Sequence, residues 1–75
     1  MLSLADVSPG QSATILEVIG DDAIAIRLME MGLTDGECIR VVGTAPLGDP
    51  MEISIRGYKL SLRKSEACRI SVSLP

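Results

Sequence analysis

A mainly β fold, a small and strongly bent antiparallel barrel of about five strands, is predicted by three observations on this sequence. Period-two apolar alternation recurs in five short stretches, and only one stretch, GDDAIAIRLMEMG, carries helical spacing. Single glycines and prolines separate these segments, which leaves no room for parallel crossovers beyond that one helix. The 75 residues are expected to form a single domain, 1–75. A chain of that size buries roughly 60% of the surface its unfolded form exposes, so its core is small.

The first strand is SATILEV, 12–18, delivered by the turn residues Ser8, Pro9 and Gly10. The helix follows. Asp21 or Asp22 caps its N-terminus, where the positive end of the helix favours acids, and Gly32 supplies the left-handed residue that ends it. Ile24, Leu28 and Met31, at i, i+4 and i+7, are expected to share its buried face. Asp35 and Gly36 then make a turn into CIRVVG, where Ile39 and Val41 alternate with Cys38, Arg40 and Val42. In MEISIRGYKLSLR, Met51, Ile53 and Ile55 alternate before Gly57, and Tyr58, Leu60 and Leu62 after it. A tight hairpin with Gly57 and Tyr58 as central residues is the natural reading. KSEA is at most one helical turn. In RISVSLP, Ile70, Val72 and Leu74 alternate against Arg69, Ser71 and Ser73.

The chemistry that the chain lacks narrows its function. There is no histidine, the commonest general base and metal ligand. Cys38 and Cys68 have no CxxC spacing and two thiolates do not complete a tetrahedral site, so they are expected as strand and core packing residues rather than a disulfide. Asp21 and Asp22 read as capping groups rather than a catalytic pair, and Met29 and Met31 as core filling rather than soft metal ligands. No Walker or Rossmann glycine pattern occurs. The expected function is therefore not an enzyme's, with no catalytic residue and no required cofactor. A weak surface site for a divalent ion such as Fe2+ stays open, because hard cations accept carboxylates, but no metal ligand set can be named.

Charge is uneven. Residues 1–50 carry two basic and eight acidic groups, and residues 51–75 carry five and two, for a total of −3. The basic island of Arg56, Lys59, Arg63, Lys64 and Arg69 suits steering toward an acidic partner surface, or toward anionic lipid beside a membrane partner. Overall acidity and the single aromatic residue argue against nucleic acid. The longest apolar run, Ala23 to Ile26, is far short of the roughly 20 residues a bilayer requires. The N-terminal MLSLADVSPG lacks the basic and long apolar regions of a secretory signal, so a cytoplasmic location is the expectation.

Short motifs in order carry a family resemblance. LMEMGLTDGECIRVV, with MGL at 31–33 and Gly36 four residues after Gly32, precedes APLGDPMEISIRGYKLSLRKSEACRISV, with PLGDP at 46–50 and RGY at 56–58. Together these resemble the FeoA-type ferrous iron transport accessory proteins over about residues 2 to 74. The resemblance implies an SH3-like barrel acting in the cytoplasm beside FeoB, a membrane ferrous iron permease with a cytosolic GTPase domain. It also implies an alternative, a module that binds a divalent metal directly, as sensor or chaperone, related to the C-terminal domain of iron-dependent repressors. The chain departs from the family pattern at Thr34 and Asp35, where a proline is frequent before the glycine, and at Ser61, where alanine is common. Recognition of proline-rich peptides is not expected, since the chain has one tyrosine and neither tryptophan nor phenylalanine.

PLGDP is the expected contact. Pro46 and Pro50 each fix φ and remove a donor, Gly48 sits at the reversal, and Asp49 is expected to accept a local backbone hydrogen bond. A stiff loop loses little entropy on docking, so an exposed Leu47 makes an efficient anchor. The alternative is that Leu47 covers one end of the barrel. The expected partner-binding set is Pro46, Leu47, Gly48, Asp49, Pro50, Arg56, Tyr58, Lys59 and Arg63, facing the permease or a second copy of the chain.

Overall fold

The computed structural model describes residues 2–75. A 3-10 turn at Leu4–Asp6 is followed by β1 (Ser12–Val18), α1 (Ala23–Glu30), β2 (Cys38–Thr44), β3 (Met51–Ile55), β4 (Tyr58–Leu62), α2 (Lys64–Ala67) and β5 (Ile70–Ser73). The strands form one antiparallel sheet in the order β4-β3-β2-β1-β5. The sheet bends around its core without closing, since among the described residues no ladder joins β4 to β5.

Alternation chose the inner face. Ile39 and Val41 of β2, with Met51, Ile53 and Ile55 of β3, are buried in one cluster with Leu28, Leu33 and Ile70. Removing such side chains from water supplies about 1.5–3 kcal/mol each. The open side of β5 is covered by the N-terminal segment: Ser3 bridges Ser71, and the Val72 N–H donates to the Leu2 carbonyl at 3.0 Å. That cover buries Ser71, which alternation alone places outside, while Leu74 lies beyond the strand and is exposed. The remaining edge, β4, carries Lys59 and Ser61, polar groups that discourage pairing with another strand.

Three expectations need correction. The buried stripe of α1 is Ala25 and Leu28. Ile24 is exposed and Met31 packs only partly against the core. Met29, expected as core filling, is also exposed. The β3–β4 turn has Arg56 and Gly57 at its centre, with φ +50° and +84°, so that Ile55 pairs with Tyr58. The backbone of a two-residue turn with both φ positive matches the twist of the strands, and centring the turn on Gly57 and Tyr58 instead would shift every β4 partner by two residues, setting Leu60 rather than Tyr58 opposite Ile55. Finally, Cys38 and Cys68 are exposed free thiols rather than core residues. Cys38 falls on the outer face of β2 opposite Ile39, and Cys68 caps the C-terminus of α2.

Candidate partner-contact site

Leu47 stands 96% exposed, so it covers no part of the core. Its presentation is built by backbone hydrogen bonds on both sides. The Gly48 N–H donates to the Ala45 carbonyl at 2.7 Å, closing a turn with Pro46 and Leu47 in the middle, and the Ala45 N–H donates to the Pro50 carbonyl at 3.0 Å. Pro46 at the second position of such a turn presets its φ. The Asp49–Pro50 peptide is cis.

Asp49 acts at longer range than expected. Its carboxylate oxygen Oδ1 accepts from the Lys64 N–H, at the first turn of α2, at 3.0 Å. The loop is thereby tied to an element 15 residues away, which no local spacing announces. Beside it lies a shallow open hollow of about 330 Å³ lined by Thr44, Ala45, Pro50, Met51, Glu52 and Ser61.

The other expected contact residues do not gather around Leu47. Arg56 forms an ion pair with Glu37, and Lys59 lies 3.9 Å from Glu52 across the β3–β4 pair. The Tyr58 hydroxyl donates to the Met31 carbonyl at 2.7 Å, satisfying one of the free acceptors at the end of α1. Arg69 pairs with Asp22. Of the basic island, only the side chains of Arg63 and Lys64 have no carboxylate partner among the described residues, and both sit at the start of α2 next to the loop. Sequence reasoning placed Lys64 in the island but had no means of seeing its tie to Asp49.

Two carboxylates are displaced from the ordinary range. The hydrogen bond from Arg69 lowers Asp22 to about 2, helped by the Ala25 N–H that Asp22 caps. Glu37 is lowered by its hydrogen bond from Arg56. A carboxylate whose folded pKa is depressed stabilises the fold above its unfolded value, near 3.8 for Asp22, and that contribution is lost as pH falls toward the folded value. Denaturant melts between pH 5 and pH 2 should therefore show stability declining below about pH 4, with a shallower decline in Asp22→Asn, which keeps the cap but not the charge. Equal slopes for the two proteins would show that the Arg69 pair contributes nothing.

Among the described residues, no group of three His, Cys, Asp or Glu side chains converges on a point that can hold a metal ion. No buried side-chain nitrogen or oxygen there lacks a hydrogen-bond partner. The carboxylates of Asp22, Glu37, Glu52 and Glu66 are engaged in ion pairs instead.

A family model described as the FeoA domain matches residues 2–74. An Fe(2+) transport protein A/Fe(2+) transporter FeoB fusion protein of Porphyromonas gingivalis is 38% identical over 73 residues. That alignment takes in 97% of this chain but 9% of the fusion protein, so the chain spans less than a tenth of that relative. The solution structure of an FeoA-like protein from Clostridium acetobutylicum superposes with a TM-score of 0.91 at 36% identity, covering 97% of this chain and 85% of that one. The crystal structure of Stenotrophomonas maltophilia FeoA complexed with zinc, described as a procaryotic SH3 domain protein, gives 0.86 at 34% identity, covering 97% and 91%. With a match over nearly its whole length and a bent five-stranded sheet of this SH3-like kind, the chain belongs to the FeoA domain family.

Proposed function

We propose that this chain is a cytoplasmic, non-catalytic accessory protein of ferrous iron uptake that works by touching an FeoB-type permease, with the loop 46–50 as one contact. The observation that carries the reading is Leu47, 96% exposed at the tip of a loop held by its own hydrogen bonds and by Lys64. A large apolar side chain so fully in water has no structural use, and burying it at an interface returns about 1.5–3 kcal/mol. The P. gingivalis fusion supports the choice of partner, since an FeoA sequence there shares one polypeptide with FeoB. Among the described residues no helix is long and apolar enough to cross a membrane, so the proposed attachment to the membrane is through the permease. Iron enters as the cargo of the partner.

The test is anaerobic ferrous iron uptake in cells lacking this protein, restored with the native chain or with Leu47→Asp at matched expression. Native protein should restore uptake and Leu47→Asp should not, while the stability of the variant stays within about 1 kcal/mol of native. Equal restoration by both would remove the loop from the mechanism. No loss of uptake on deletion would remove the transport reading itself.

A further inference from the structure

A second surface stands apart from the Leu47 loop. In β1 the register shifts between Ile15 and Glu17 in the pairing with β5, so Leu16 is an extra residue in the strand. A bulge of this kind re-aims the side chains around it, and here Leu16 and Glu17 are consecutive exposed residues. Met29 of α1 lines the same depression as Leu16 and Glu17, and Ile26 and Glu30 lie on its helix flank, the three residues being at i, i+3 and i+4. Leu16 is 47% exposed, Ile26 49% and Met29 39%. Between strand and helix lies an open depression of about 450 Å³, lined by Leu16, Val18, Met29 and Leu33 with Glu17 and Asp35. Single exposed apolar residues are ordinary, but apolar side chains gathered around one depression mark an interaction site.

The charge around this depression has one sign. Glu17 and Asp35 line it, Glu30 flanks Ile26, and no lysine or arginine is among the lining residues. The one cation of α1, Arg27, is paired with Glu66. We infer that the β1–α1 depression docks an amphipathic segment of a partner protein, one that buries apolar side chains against Leu16, Ile26 and Met29 and sets lysines or arginines against Glu17, Glu30 and Asp35. Complementary charge selects such a segment over an acidic one and speeds its approach, and the flexible thioether of Met29 lets the surface adapt to it. Charge also argues against a second copy of the chain as occupant, because the same acidic rim would face itself across a two-fold contact.

The inference deepens the contact reading above and rests on it, but its test does not use the permease. Isotope-labelled protein is titrated with a synthetic amphipathic peptide of about 18 residues, five helical turns, with leucines on one face and lysines on the other. A matched peptide carries glutamates in place of the lysines. The lysine peptide should shift the resonances of Leu16, Glu17, Val18, Met29 and Asp35 as one group. Its Kd should rise about tenfold or more in Met29→Glu and in the double variant Glu30→Lys/Asp35→Lys, and stay unchanged in Leu47→Asp. The double variant leaves the apolar side chains intact, so a weakened Met29→Glu fold cannot imitate the result. Shifts scattered over the surface, equal response to both peptides, or unchanged affinity in the double variant would each overturn the inference. So would concentration-dependent dimerisation that Met29→Glu abolishes, which would make a second copy the occupant. Unchanged iron uptake in cells lacking the protein would overturn the transport reading and leave this titration standing.

Discussion

Leu28→Ala should cost about 2–5 kcal/mol, the range for removing a fully buried leucine when the surroundings relax only in part. At about 0.05–0.15 kcal/mol per residue, 75 residues sustain roughly 4–11 kcal/mol in all, so this single truncation should remove a large fraction of the total stability. Leu28 has no exposure to solvent and lies in the one buried cluster shared by helix and sheet. It also closes the helix, because the Leu33 N–H donates to its carbonyl at 3.2 Å while Leu33 packs in the same core. Met29, one residue on, faces water, and Met29→Ala should change stability by less than about 1 kcal/mol. Urea melts of the two variants settle the orientation of α1. Similar losses for both would mean that the helix is rotated from the position described.

That contrast also shows how far the sequence could be read. Strand positions were legible because alternation has a period of two and one face of each strand is buried, so Ile39, Val41, Ile53 and Ile55 could only point inward. The rotation of α1 was less legible for a physical reason. AIAIRLME is apolar at six of its eight positions, so several stripes satisfy the helical period equally well. The fold buries Ala25 and Leu28 and leaves Ile24, Ile26 and Met29 outside, a choice the helical period alone does not make. Six apolar positions exceed what one buried stripe can absorb, and that excess was the available sign of the surface beside β1. The bulge at Leu16 and the tie from Asp49 to Lys64 carried no such sign, since both arise from how distant segments meet. The PLGDP loop was legible as stiff from its two prolines, but the exposure of Leu47 needed the three-dimensional fold.

The helix end supplies the second large effect. Gly32 has φ +97° and follows Met31, the last helical cap; its N–H donates to the Met29 carbonyl at 3.0 Å, and the Leu33 N–H to that of Leu28. These two bonds close the helix through a left-handed residue. A side chain in a left-handed conformation costs about 1–2 kcal/mol. Space is short as well, because a Cβ at this position would stand 3.1 Å from the Tyr58 hydroxyl, which itself donates to the Met31 carbonyl. Displacing that hydroxyl forfeits a hydrogen bond of about 0.5–1.5 kcal/mol. Gly32→Ala should therefore lose about 2–3 kcal/mol, more than the backbone cost alone. In Tyr58→Phe the hydroxyl is absent, that variant alone losing about 1 kcal/mol, and Gly32→Ala made in its background should lose only the backbone part. The double-mutant cycle should thus be less than additive by roughly 0.5–1 kcal/mol. Strict additivity would mean that Tyr58 yields freely and that conformation alone reserves the position for glycine. Coupling of the expected sign would tie the RGY turn to the end of the MGL helix, making these two separated motifs one structural unit.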